Sequence, residues 1–306
     1  MRKLFFSFIC FLAVFFLSSC DKADELGKNS VASVIYADFK NNSYVFTAET
    51  SDFSTLNESG DSAEVKFFSG VGNTPATAWE DLKSTFSYSP YFGHVNAIVL
   101  LEGFYKKNIK EVMEFLISEN SISPNAAVYI TKCDPYDFEN LLISRMAVKK
   151  TLPSNEMYEF FSPANYNSDI PILKCKNDFP YCDTTALFKG LSYQNELPEN
   201  YFLIYSLIKN RDYEKNFKTF EISSSKAKIS NKNKHLKIDL EIFLKSITPI
   251  SHKEAEKIFT NELEAFLKYL IKENKTYILS NEEFRTYKYN IRISLKENSK
   301  LKGREQ

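Results

Sequence analysis

Residues 91–117, YFGHVNAIVLLEGFYKKNIKEVMEFLI, and the stretch AAVYIT at 126–131 decide the fold. Val95 to Leu101 is a continuous apolar run and reads as a buried strand. From about Tyr105 to Ile117, the apolar residues Ile109, Val112, Met113 and Leu116 recur at i, i+3, i+4 and i+7, which predicts an amphipathic helix. Ala126 to Thr131 is a second apolar strand. A strand, a helix and a strand in this spacing make a βαβ unit, whose strands are expected to run parallel.

Upstream, Val31 to Phe39 reads as a strand and Tyr44 to Thr47 as its hairpin partner, followed by a polar loop from Ser51 to Asp61 and a strand at Val65 to Phe68. Gly70 to Asn73 read as a turn. Thr74-Pro75 then opens a helix, with Thr74 as N-cap and Pro75 at the first helical position, where a missing N–H costs nothing. Ala78, Leu82 and Phe86 recur one turn apart on its buried face, and Ser89-Pro90 ends it. Downstream, Asp134-Pro135 repeats the signal and predicts a helix to about Val148. Residues 149–185 carry prolines at 153, 163, 171 and 180 and read as a connector with short helical pieces. Ala186 to Phe188 reads as a short strand, and Tyr201 to Ile208 is apolar without a decisive period.

The last third is patterned most plainly. Leu236, Ile238, Leu240, Ile242 and Leu244 alternate with mostly polar residues as a half-buried strand, with Phe220 to Ile229 as its hairpin partner. Ser251-His252-Lys253-Glu254 is a capping box, with Ile250 and Ala255 placed as a hydrophobic staple. The helix it starts is expected to bury Ala255, Ile258, Phe259, Leu263, Phe266, Leu267 and Leu270, and Tyr287 to Leu295 alternate again as a closing strand. The expected class is α+β: an N-terminal mixed sheet with a βαβ unit, and a C-terminal antiparallel sheet packed by one long helix. The expected division is an N-terminal domain at 31–150, a connector at 151–214 and a ββαβ domain at 215–306.

The first twenty residues, MRKLFFSFICFLAVFFLSSC, have a different character. Arg2 and Lys3 form a positive flank, and Leu4 to Leu17 is an apolar run broken only by Ser7. That run is shorter than the roughly 20 residues needed to cross a hydrocarbon core. Leu17-Ser18-Ser19-Cys20 resembles the lipobox of bacterial lipoproteins, in which the chain is cut before the cysteine and its thiol is acylated. Residues 1–19 are therefore expected to be a signal peptide, Cys20 the lipidation site, and 20–30 a solvated tether. Cleavage there would leave 287 of the 306 residues.

Composition excludes several functions. The net charge is zero, so no nucleic-acid partner is implied. Eight glycines and no Walker, Gly-x-Ser-x-Gly or His-Glu-x-x-His motif leave catalysis with little to stand on. No cofactor and no metal site are expected. Cys133, Cys175 and Cys182 follow the lipobox cysteine; Cys175 and Cys182 are close enough in sequence to pair, or all three are simple small thiols. Tyr91, Phe92 and His94 have two readings: an interaction surface, or a cap on the βαβ unit.

The order of these features resembles the C subunits of bacterial spore germinant receptors. The resemblance is carried by the lipobox cysteine, VIYADF, the YFGH stretch with its strand, helix and AAVYITK, then DTTALFKGLSYQNELPENYFLI, FEISSSKAKIS, HLKIDLEIFLKSI and KYNIRISLK. It identifies a divergent and shortened member, with Asp21-Lys22-Ala23-Asp24 where the family usually has tryptophan and arginines. It implies a non-enzymatic subunit, anchored by lipid on the outer face of the spore inner membrane, that helps to start germination beside membrane-embedded A and B subunits. The rival readings are a transporter's substrate-binding lipoprotein, which would need two similar α/β lobes, and a surface lipoprotein enzyme using Cys133 or His94.

Overall fold

The computed structural model describes residues 30–52, 64–87, 90–106, 109–138, 142–148, 152–153, 155–161, 169–177, 179–209, 215–217, 220–232, 235–247, 251–279 and 288–297. The expected signal peptide, Cys20, the tether up to residue 29, Ile250 and Tyr287 lie outside them.

β1 (Val31–Lys40) and β2 (Ser43–Asp52) form a hairpin closed by Asn41 and Asn42 at φ 52° and 63°. Two consecutive left-handed residues give the tight turn whose twist matches the flanking strands, and asparagine tolerates that conformation. β3 (Glu64–Gly72) extends the hairpin in antiparallel register. Gly70 and Gly72, expected in a turn, are therefore strand residues. A Cβ on Gly70 would lie 2.0 Å from the Leu82 backbone nitrogen, and one on Gly72 would lie 2.3 Å from that of Ala78. These glycines let α1 (Pro75–Ser84) lie flush on β3. Thr74 caps α1 as expected, in a capping box with Thr77.

β4 (Ala97–Leu101) follows, then α2 (Glu102–Tyr105), α3 (Ile109–Ser118) and β5 (Ala127–Thr131). β4 pairs in parallel with both β1 and β5, with Ala97 opposite Ala127, so the βαβ unit forms as its spacing predicts. Asp134 closes a capping box, but on a short 3-10 turn at Pro135–Asp137, and α4 (Leu142–Val148) is a separate helix.

The expected connector is corrected by the sheet. β6 (Asn155–Glu156), β7 (Asp169–Lys176), β8 (Phe179–Lys189) and β9 (Ser192–Glu196) all join the first sheet, whose order is β3-β2-β1-β4-β5-β7-β8-β9 with β6 on β5. Prolines suggested a break, yet Pro171 and Pro180 sit inside β7 and β8. β7 meets β5 only at Ile172 and Leu173, and β9 meets β8 only from Ala186 to Lys189, so each proline lies where one side of its strand is not laddered.

One face of this sheet packs on Trp79, Leu82, Phe104, Val112, Met113 and Leu116 from α1, α2 and α3. The other packs on Phe138, Ile143 and Leu152, around α4. The sheet is thus covered on both sides, as its central parallel strands require.

α5 (Glu199–Ile208) leads to β10 (Lys215–Phe217), β11 (Phe220–Lys232), β12 (His235–Ile247), α6 (His252–Lys272) and β13 (Lys288–Glu297). The second sheet has the order β10-β11-β12-β13. Its first three strands are antiparallel, but β13 runs parallel to β12, from His235 opposite Lys288 to Leu244 opposite Glu297. This corrects the expected all-antiparallel sheet within an α+β fold that otherwise stands. A 21-residue helix carries the chain back about 31 Å, so the next strand starts beside the start of β12 and runs with it. Ser251 and Glu254 form the expected capping box, and α6 buries Ala255, Phe259, Leu263, Phe266, Leu267 and Leu270, while Ile258 at the edge of that face is only half-buried. At roughly 1.5–3 kcal/mol for each large apolar side chain, this face holds the helix to the sheet.

Candidate functional site

The YFGH stretch is built by the first residues of the described fold. Tyr91 makes an isolated parallel bridge with Val31: its N–H donates to the Ser30 carbonyl at 3.1 Å, and the Ala32 N–H donates to its carbonyl at 3.0 Å. The Val95 N–H closes a turn on the Phe92 carbonyl at 3.1 Å. That turn divides the three candidate residues. Phe92 is buried, its ring 4.6 Å from that of Trp79 and 6.2 Å from that of Phe86. Tyr91 and His94 stay exposed, with ring centroids 5.2 Å apart and nearly edge-on. The Tyr91 ring folds over Gly93, where a Cβ would meet the Tyr91 hydroxyl at 2.5 Å. Phe92 thus serves the cap, and only Tyr91 and His94 present a surface.

The pairing of Cys133 with His94 is not formed. His94 precedes β4 and Cys133 follows β5, and those strands run parallel, so the two lie toward opposite ends of the sheet. Cys133, Cys175 and Cys182 pack against the core beside Phe138 and Ile143. Cys182 stands opposite Leu173 and Cys175 opposite Pro180, so the two are offset rather than directly opposed, and the Cys175 thiol donates to the Asp137 carbonyl at 3.1 Å. His235 and His252 are exposed. Among the described residues, no group of three or more His, Cys, Asp and Glu is placed to hold a metal ion. No helix among them is long and apolar enough to cross a membrane.

What sequence reading missed is a set of buried polar residues around α5. Asp169 on β7 is 3% exposed and accepts hydrogen bonds from the Tyr205 hydroxyl at 2.7 Å and the Thr185 hydroxyl at 2.9 Å. On the other side of the helix, the Ser225 hydroxyl of β11 donates to the Leu207 carbonyl at 2.9 Å. Lys174 on β7 is bound by Asp183 at 2.8 Å and by Glu199, at the start of α5. A buried carboxylate is tolerated when donors saturate it, and here the donors come from two elements, so the bonds fix their relative position. No motif announces such a cluster, because its members are far apart in sequence.

These features define a protein of two sheets joined through one buried helix, with an aromatic and imidazole surface where the chain enters the fold. A family model described as the spore germination protein N-terminal domain matches residues 22–177. The chain belongs to this family, that of the C subunits of spore germinant receptors. Among solved structures it is similar to the crystal structure of the GerBC protein, with 15% identity over 87% of this chain and 97% of that one, at a TM-score of 0.45. No curated protein matches it.

Proposed function

We propose that the chain is the lipid-anchored, non-enzymatic C subunit of a spore germinant receptor, held through Cys20 on the outer face of the spore inner membrane beside the A and B subunits. The observation that carries this is positional: the family match begins at residue 22, two residues after the cysteine of a lipobox-like segment. Two acyl chains at about 0.8 kcal/mol per buried CH₂ anchor stably where one does not. Nine residues separate Cys20 from Ser30, and the chain between them reaches at most about 35 Å. The tether therefore keeps the folded part close to the bilayer and raises its effective concentration toward membrane-embedded partners. Tyr91 is hydrogen-bonded to Ser30, so Tyr91 and His94 sit at the tethered end, and contact with another subunit is assigned to them.

Cys20→Ala should move the protein from the membrane to the soluble fraction of spores and impair germination while leaving it folded. A variant that remained membrane-bound and germinated normally would sink the reading. The double variant Tyr91→Ala/His94→Ala should lower germination without lowering stability. Cys133→Ser should germinate like the parent; loss of germination in a folded Cys133→Ser protein would favour the enzyme reading instead.

A further inference from the structure

A cavity of about 460 Å³ opens between the end of α2 and the first described turn of α3 on one side and the β8–β9 turn on the other. It is lined by Lys106, Lys110 and Lys189, by the rings of Tyr105 and Tyr193, and by Ser192. Among the described residues that line it, none is acidic. Tyr105 is fully buried, and the half-buried Tyr193 ring, edge-on to it at 5.3 Å, makes one wall; the Lys106 ammonium lies 5.8 Å from the Tyr105 ring centre. Carboxylates reach these groups from outside the lining. Glu102 binds Lys106, Glu114 is 3.8 Å from Lys110, and Glu196 accepts from the Tyr105 hydroxyl at 3.5 Å.

The exposed pairs hold their lysines weakly. The Lys106 and Lys110 side chains are 45% and 71% exposed, and ion pairs at such exposure contribute little and yield to a better partner. A phosphate group is that partner: it offers several acceptor oxygens to lysines acting as point charges, and Ser192 supplies a hydroxyl donor. The volume falls in the roughly 300–1,000 Å³ range of small-molecule sites and exceeds what inorganic phosphate fills, leaving the tyrosine wall for an attached organic part.

We propose that this cavity binds a small phosphate-bearing molecule, with Lys106, Lys110 and Lys189 holding the phosphate and Tyr193, backed by the buried Tyr105, flanking the rest. The proposal does not depend on the lipid anchor. The shared chemistry has two sources, a soluble phosphate compound and a phospholipid headgroup, and the test separates them.

The full chain carrying Cys20→Ala, kept free of detergent, is titrated calorimetrically with inorganic phosphate at low ionic strength, and separately with phosphatidylglycerol and phosphatidylcholine vesicles. Saturable binding of phosphate, weakened roughly tenfold or more by Lys110→Ala/Lys189→Ala, supports a soluble ligand. Binding to phosphatidylglycerol vesicles alone, lost in the same variant, supports a headgroup. Ser192→Ala, which leaves the charge unchanged, should weaken binding less but measurably. No saturable binding to either probe, or binding that the double lysine variant leaves intact, overturns the proposal.

Discussion

Tyr44 shows how one side chain couples two elements and the solution pH. It is buried, and its hydroxyl donates to the Glu111 carboxylate on α3. Burial, then the hydrogen bond and the charge of Glu111, push the phenol up to about 12. An unfolded tyrosine titrates near about 10. A group raised on folding contributes its full share below the unfolded value and loses it as pH rises through the folded one. The parent should therefore lose stability between about pH 10 and 12, and Tyr44→Phe should lose less over that window. Thermal melts of both across the alkaline range check this; parallel curves would refute it. Gly70 makes a steric prediction of the same scale. A Cβ 2.0 Å from the Leu82 nitrogen meets backbone, which cannot rotate away. Gly70→Ala should cost about 1–3 kcal/mol in urea unfolding, or more if α1 is displaced; an unchanged midpoint would show that α1 does not lie flush on β3.

At the scale of elements, α5 holds most of what the sequence concealed. Its helical period is masked because Phe202, Ile204, Tyr205, Ser206, Leu207 and Ile208 are all buried, against β8 on one side and β11 and α6 on the other. A helix covered all round has no polar stripe to read. Thr74-Pro75 and Ser251 to Glu254 were legible because a cap is local: the bonding groups lie within three residues of each other. β7 and β8 were not legible, since the tolerance of Pro171 and Pro180 depends on which neighbouring strands stop short. The hydroxyl of Tyr205 on Asp169 gives this element its test. Tyr205→Phe should cost about 1.5–3 kcal/mol, and a double-mutant cycle with Asp169→Asn should show coupling rather than additivity. Additive effects would mean that the bond between α5 and β7 contributes nothing of its own.

At the scale of the molecule, the two sheets share this helix. Leu187 and Leu197, flanking the first sheet's last strand, pack in the same core as Tyr205, Ile242 and Phe266. Unfolding one sheet would expose α5 and the buried bonds of Asp169, so the sheets should melt together. The chain's single tryptophan, Trp79, reports on the first core alone, whereas circular dichroism at helical wavelengths follows the helices of both cores, the 21-residue α6 of the second among them. Urea transitions followed by the two probes should coincide. Separate midpoints would show that α5 joins the sheets without coupling them.

By itself the sequence determined the elements whose cause is local: the caps of α1 and α6, the βαβ unit from β4 to β5, the alternation in β12, and the lipobox-like segment ending at Cys20. It also carried the family resemblance, because the order of such elements is a property of the chain. Tertiary structure alone decided that β6 to β9 complete the first sheet, that β13 runs parallel to β12, and that Phe92 turns inward while Tyr91 and His94 stay out. Each of these depends on which distant surface is left to cover or which strand edge is left to pair, and a local pattern holds no record of either.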